Sequence, residues 1–202
     1  MRYHLSKEDF YTQKAKEEGY PARSVYKLQE IDRKFGIFKN GDMVLDLGAA
    51  PGSWLLYIGR KIGPKGRVVG VDTEDLKTDL PANSVFIKKS VFDDDFLQVL
   101  QPPGGCKFDI VVSDLAPKTS GLHEKDVAEC LELAERALLI AQQTLEPAGN
   151  FLVKLFEGIG VDDFIRTVEQ IFETVKRYRP QAIRKGSREL YLIAKDFIHS
   201  TS

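Results

Sequence analysis

Met43-Val44-Leu45-Asp46-Leu47-Gly48-Ala49-Ala50-Pro51-Gly52-Ser53-Trp54 decides the fold of this chain. It opens as a short apolar run, which predicts a buried strand. An acid interrupts the run, and small or turn-forming residues follow to Gly52. From Ser53 the pattern turns helical: Trp54, Leu55, Tyr57 and Ile58 share a face, and Ser53 can cap the first turn. The stretch is a strand, a tight turn and a helix. Its turn carries almost no side chain, so a ligand can lie directly on the backbone. In open α/β sheets such ligands bind beyond the carboxyl ends of the strands.

Gly66-Arg67-Val68-Val69-Gly70-Val71-Asp72 predicts the next strand and ends on an acid 24 residues after Gly48. In nucleotide-binding α/β folds, an acid about 20 residues past the glycines takes the ribose hydroxyls. The turn is not G-x-G-x-x-G. It is a poor cradle for a pyrophosphate and a good one for a nucleoside with a small zwitterionic tail, a description that fits S-adenosylmethionine. The plainer alternative is a βα turn whose glycines serve geometry alone; Asp72 weighs against it.

The chain of 202 residues predicts one domain with a substantial core. Its 43% hydrophobic and 29% charged content is that of a soluble protein. No apolar run approaches a membrane span and the first residues show no signal-peptide pattern, so a cytoplasmic protein is expected. Cys106 and Cys130 are too few for a zinc site or a disulfide framework, and His4, His123 and His199 have no metal-ligand spacing; no metal is expected. The net charge of −1 lacks the basic surplus usual for nucleic-acid proteins, but leaves room for a local basic face.

Residues 7–18 read as a polar helix capped by Ser6 and stopped by Gly19, and 22–35 as a second helix with Val25, Leu28 and Ile31 as its stripe. Beyond the opening stretch, strands are expected at 66–72, 84–89, 108–113, 150–156, near 174–179 and 188–196. Helices are expected at 93–100, 124–145 and 161–172, with a loop over Pro102-Pro103-Gly104-Gly105. Alternating β and α from residue 43 predicts a mostly parallel, doubly wound core.

Four polar residues stand where apolar logic would not put them. Asp114 ends a buried strand, and Lys154 interrupts Phe151-Leu152-Val153-Lys154-Leu155-Phe156. Glu189 precedes Leu190-Tyr191-Leu192-Ile193, and Lys27 sits on the helix before the first strand. A lysine inside a buried strand is costly unless it is paired or belongs to a site. Two lysines and two acids around one hydroxyl form a proton-handling set. The plainer alternative is an edge strand with a solvated lysine and ordinary strand-end acids.

At these residues the sequence resembles the FtsJ/RrmJ-type RNA ribose 2′-O-methyltransferases, from about Phe10 to Phe197. The resemblance is carried by Arg23-Ser24-Val25-Tyr26-Lys27-Leu28, by Leu45 to Trp54, by Asp109 to Pro117 with Ser120-Gly121, by Lys154-Leu155-Phe156-Glu157-Gly158, and by Arg184 to Tyr191. It implies a Rossmann-like S-adenosylmethionine-dependent methyltransferase fold, with a mostly parallel seven-stranded sheet and helices on both faces. Residues 1–40 would supply helices to RNA binding and the active site, and 41–202 the core of a single domain. The implied catalytic tetrad is Lys27, Asp114, Lys154 and Glu189, with Lys154 central, either as a neutral base or as an ammonium that steers the hydroxyl. The implied cofactor contacts are Gly52 and Trp54 beside the methionine part, Asp72 at the ribose and Asp114 near the sulfonium. Asp46, Gly48, Ala49, Pro51 and Ser53 of the turn complete the set. The family often has an acid before the Phe that follows the third strand; this chain has Val91, so either the Val91 backbone or Asp93 takes over that contact, or cofactor binding is altered.

RNA is expected over the N-terminal helices and the last hairpin, where Arg23, Lys27, Arg33 and Lys34 are followed by Arg177, Arg179, Arg184, Lys185 and Arg188 with Tyr178 among them. Solvated strand-end charges are the plainer reading. The expected partner is large-subunit ribosomal RNA or the ribosomal subunit, for a monomer away from membranes. Three alternatives stay open: the same chemistry on tRNA or an mRNA cap, a non-catalytic assembly factor that keeps the cofactor pocket, and a nucleotide-dependent oxidoreductase, the last disfavoured by the missing G-x-G-x-x-G.

Overall fold

The computed structural model describes residues 7–100, 107–184 and 186–198. The Ser6 cap, the 102–105 loop, Cys106, Lys185, His4 and His199 lie outside the described residues. Two helices, α1 (Lys7–Glu17) and α2 (Val25–Phe35), precede the first strand. Then come β1 (Met43–Leu47), α3 (Ser53–Ile62), β2 (Arg67–Asp72), β3 (Ser84–Lys88), α4 (Phe96–Leu100), β4 (Phe108–Ser113), α5 (His123–Thr144), β5 (Leu145–Phe156), α6 (Val161–Glu169), β6 (Phe172–Tyr178) and β7 (Glu189–Phe197).

The strands form one sheet in the order β3-β2-β1-β4-β5-β7-β6. The first five in that order pair parallel, and β7 runs antiparallel to both β5 and β6. Strand order reverses between β1 and β4, so a crevice opens outside the carboxyl ends of those two strands. The fold is the expected one: a mostly parallel seven-stranded sheet with helices on both faces.

Side-chain alternation sends each strand's residues to opposite faces. On one face Val44, Val112, Leu152, Tyr191 and Ile193 pack under α2 and α3 with Leu28, Ile31, Trp54 and Ile58. On the other, Leu45, Val111, Val153 and Leu192 pack under α4, α5 and α6 with Phe96, Ala137 and Phe164. Asp46 follows Val44 by two, Asp114 follows Val112, Lys154 follows Leu152, and Glu189 precedes Tyr191. All four therefore project from the face that carries α2 and α3, which places them on the side of Lys27.

Several boundaries differ from the periodic reading. The second helix begins at Val25 rather than 22, because residues 21–24 form a turn. The short α4 begins at Phe96 rather than 93. Leu145 already pairs with Phe108, and the next pair joins Ile110 to Asn150, so the Pro147–Gly149 stretch is an irregularity inside β5 rather than a loop ahead of it. Helix α6 stops at Glu169, and Phe172 opens β6 instead of ending the helix, because its ring stacks on Phe151 in the core. Among the described residues no helix is long and apolar enough to cross a membrane.

Candidate active site

The turn after β1 is built by close approach. Gly48 has φ +83°, and a Cβ there would lie 2.8 Å from the Leu115 backbone nitrogen, so only glycine lets the chain leaving β4 pass over it. Gly52 has φ +108°, and its absent Cβ would meet Thr78 at 2.7 Å. The Ala50–Pro51 peptide is cis. Gly52, not Ser53, stands at the head of α3, and no side chain caps it. Ser53 is buried and does something else: its Oγ accepts the Ala22 N–H at 2.7 Å and donates to the Ala22 carbonyl at 3.1 Å. That pair pins the turn ahead of α2 to the start of α3. Trp54 adds a second pin, its indole N–H donating to the Ser24 carbonyl at 3.0 Å while its ring packs 5.9 Å from that of Tyr191. The indole is core, beneath the crevice.

Three carboxyls close the ends of three neighbouring strands. Asp72 accepts the Ala50 N–H on one oxygen and the Glu74 N–H on the other, both at 2.9 Å, and so holds the turn in shape. Each carboxylate oxygen carries two lone pairs, which leaves capacity for a ribose. Asp46 is fully buried, and neither of its oxygens has a hydrogen-bond partner. Burial first, then the charges of Asp114 and Asp72, push its pKa well above the ordinary carboxylate range. For Asp114 burial pushes upward, but the charges of Lys154 and Lys27 and the Tyr191 hydrogen bond outweigh it and hold the group below its usual range.

The tetrad comes together as a chain of contacts. Lys154 donates to the Asp114 carbonyl at 2.6 Å, and its Nζ lies 3.2 Å from the Asp114 carboxylate. Lys27 donates to Glu189 at 2.5 Å. Tyr191 joins the two pairs: its hydroxyl is 2.8 Å from Asp114 Oδ1 and 2.7 Å from Glu189 Oε1. Tyr191 sits opposite Lys154 in the β5–β7 ladder. The hydroxyl is fully buried; burial and the two acids push its pKa well up, so it stays a donor. Sequence reasoning missed its role and read it as one residue of an apolar strand. The available signal was its spacing, two residues after Glu189 and therefore on the same face.

Val91 is buried, and its carbonyl accepts a hydrogen bond from Arg136 Nε at 2.6 Å. Asp93 accepts the Ser90 N–H at 3.2 Å. Both positions are engaged with the protein's own chain. Three basic residues of the last hairpin are also partnered. Arg177 pairs with Asp162, Arg179 with Glu157, and Arg188 with His123, a histidine to which the sequence assigned no role. Arg33 and Arg184 are exposed. Among the described residues no group of acids, histidines and cysteines is arranged to hold a metal ion.

The donor set fits a cationic nucleoside. Carboxyls on three adjacent strand ends favour a sulfonium and an ammonium, the bare turn admits a backbone-hugging tail, and Asp72 has acceptor capacity for a ribose. Beside it, Lys154, held by the Asp114 carboxylate, offers a donor to a substrate hydroxyl.

The chain is similar to known methyltransferases. Residues 20–197 match the family described as FtsJ-like methyltransferase. The chain is 45% identical over 191 residues to the ribosomal RNA large subunit methyltransferase E of Oleidesulfovibrio alaskensis, covering 94% of this chain and 91% of that protein. It is 40% identical to the protein of the same name from Lawsonia intracellularis, over 96% of this chain and 97% of the relative. Among solved structures, a ribosomal RNA methyltransferase of Plasmodium falciparum superposes with a TM-score of 0.76 at 28% identity, covering 88% of this chain and 98% of its own.

Proposed function

Because this chain belongs to the FtsJ-like methyltransferase family, we propose that its crevice methylates a ribose 2′-hydroxyl of large-subunit ribosomal RNA. The observation that carries the reading is the continuous contact chain Lys154–Asp114–Tyr191–Glu189–Lys27, set directly beside the Gly48–Gly52 turn. S-adenosylmethionine, when bound, supplies an electrophilic methyl on a sulfonium. The residues that would hold it are Gly48 to Ser53 and the Trp54 backbone along the tail, Asp72 at the ribose, and Asp114 as the negative charge under its positive centre, with the Asp46 carboxyl beneath the turn.

The protein's own groups do the rest. Lys154 has one proton directed to the Asp114 carbonyl and another toward its carboxylate, which fixes the ammonium at the crevice. We read Lys154 as orienting the hydroxyl rather than removing its proton. Lys154 donates to the attacking hydroxyl, turns its lone pair toward the methyl and stabilises the charge that develops on that oxygen. With the cofactor bound, that oxygen would take the methyl, the carbon–sulfur bond breaking with its electron pair left on sulfur, and the hydroxyl proton would pass to solvent. Asp114 holds Lys154, and Glu189 holds Lys27 at the opposite side of the same opening. The wider reading is a monomeric, cytoplasmic enzyme of one domain, residues 1–202, whose N-terminal helices meet the RNA.

The test is transfer of labelled methyl from S-adenosylmethionine to total RNA and to ribosomal subunits, with Lys154→Ala alongside. Label that survives alkali in a 2′-O-methyl dinucleotide, and falls by about 100-fold or more in the variant, is the expected result. Cofactor binding without transfer to any RNA would point to the assembly-factor alternative.

A further inference from the structure

A second cleft, of about 280 Å³, opens on the flank of α2 next to the one that carries Lys27. Its walls are Tyr11 and Lys14 of α1, Tyr26, Gln29 and Arg33 of α2, and Gln181 from the segment leading to β7. Tyr26, Gln29 and Arg33 recur at helical spacing on one face, and Lys27 projects about a quarter-turn away.

Each wall has a distinct chemistry. The Tyr11 ring lies 5.3 Å from that of Tyr26 and 5.5 Å from that of Phe10, and Phe10 is 52% exposed. A large aromatic left open beside a second ring is a stacking platform. Glu30 also borders the cleft, but its carboxylate is taken by the Tyr178 hydroxyl at 2.6 Å and the Gln181 backbone N–H at 2.9 Å. The carboxamides of Gln29 and Gln181 and the guanidinium of Arg33, by contrast, make no hydrogen bond among the described residues. Two carboxamides present paired donors and acceptors, the pattern that reads a base edge. A guanidinium and an ammonium flank them, as a phosphate requires.

We propose that this cleft seats one unpaired nucleobase of the substrate RNA, near the nucleotide whose ribose reaches Lys154. The inference rests on the RNA reading above. It assigns the N-terminal helices a recognition task beyond charge attraction. Stacking falls to Phe10 and Tyr11, edge contacts to Gln29 and Gln181, and the phosphate to Arg33 and Lys14. Adjacency to Lys27 on one rigid helix makes the base a register mark that sets which ribose enters the crevice.

The experiment is steady-state methyl transfer to ribosomal subunits by the wild type, Gln29→Leu/Gln181→Leu and Phe10→Ala, with S-adenosylmethionine affinity measured calorimetrically on each. The expected result is a rise in KM for RNA of about tenfold in the double variant and several-fold in Phe10→Ala, with kcat at saturating RNA and cofactor affinity within twofold of wild type. The glutamine side chains make no hydrogen bond among the described residues, so the leucines leave the core intact. An unchanged KM overturns the proposal. So does a rise in KM matched by a loss of cofactor affinity, which would make the effect structural. A wild type inert toward every RNA form overturns the RNA reading itself.

Discussion

Asp32 and Asp46 are both buried carboxyls, and the fold treats them in opposite ways. Asp32 receives the Ile37 and Phe38 backbone N–H groups and the Tyr57 hydroxyl, with Lys61 at 3.0 Å; Asp46 receives nothing. A buried acid without donors is carried at a cost, which marks a site. The sign of its pH effect follows. With its folded pKa raised, Asp46 adds stability below its unfolded value, near 4, and that contribution is lost as pH rises through the raised value. In Asp46→Asn the titration disappears. Urea unfolding of the cofactor-free protein should therefore fall more steeply with rising pH above about 4 in wild type than in the variant, by up to about 1.4 kcal/mol per pH unit. Identical slopes would remove Asp46 as a titrating group. Asp114 runs the other way: held low, it contributes above its unfolded value and loses that contribution as pH falls through the depressed one. Tyr191→Phe deletes the hydroxyl between Asp114 and Glu189. Stability should fall by about 1–3 kcal/mol and kcat by about 10- to 100-fold, with cofactor affinity nearly unchanged. A kcat equal to wild type would make the tyrosine packing alone. The tetrad was legible because Lys154 interrupts an apolar run, Asp114 and Glu189 stand at the ends of two others, and the family resemblance joins Lys27 to them; Tyr191 was not, because an aromatic residue in a strand looks like core.

Helix α3 must lie close on β2 for the turn before it to reach the crevice. Gly70 makes this possible: a Cβ there would come 1.9 Å from Leu55 Cδ1 and 2.9 Å from Ala49 Cβ. Gly70→Ala should cost about 1–3 kcal/mol through overpacking, seen as a lower melting temperature together with weaker cofactor binding. A loss of stability with normal binding would show that Leu55 swings aside without moving the turn. Helices α2 and α3 are then joined at Ser53–Ala22 and Trp54–Ser24, bonds that also explain why α2 starts late. The periodic pattern located every element, since strand and helix periods are local properties. It misplaced ends where a local signal competed with tertiary bonding. Ser53 looks like a cap but is spent on a neighbouring segment, and Pro147-Ala148-Gly149 looks like a loop but interrupts a strand held by Phe108.

At the scale of the molecule, a cationic cofactor that binds only the folded state raises stability with its concentration. At 100 times its dissociation constant, S-adenosylmethionine should add about 2.7 kcal/mol, a shift of about 5–10 °C for a chain of this size, and NAD should add none. An equal shift by NAD would reopen the oxidoreductase alternative. The basic surface shows the limit of linear reading. Arg177, Arg179 and Arg188 crowd together in sequence, but each is partnered in space by Asp162, Glu157 or His123, residues from other elements. The sequence by itself determined the seven strands, the strand–turn–helix at residues 43–54 and the four polar residues of the tetrad, because periodicity, glycine and misplaced charge are written locally. Only the tertiary structure decided that β7 enters between β5 and β6, that Tyr191 links the two lysine–acid pairs, that Asp46 lacks a donor and that Gln29 and Gln181 face one cleft. Those facts depend on which distant segments meet, and long-range packing sets that.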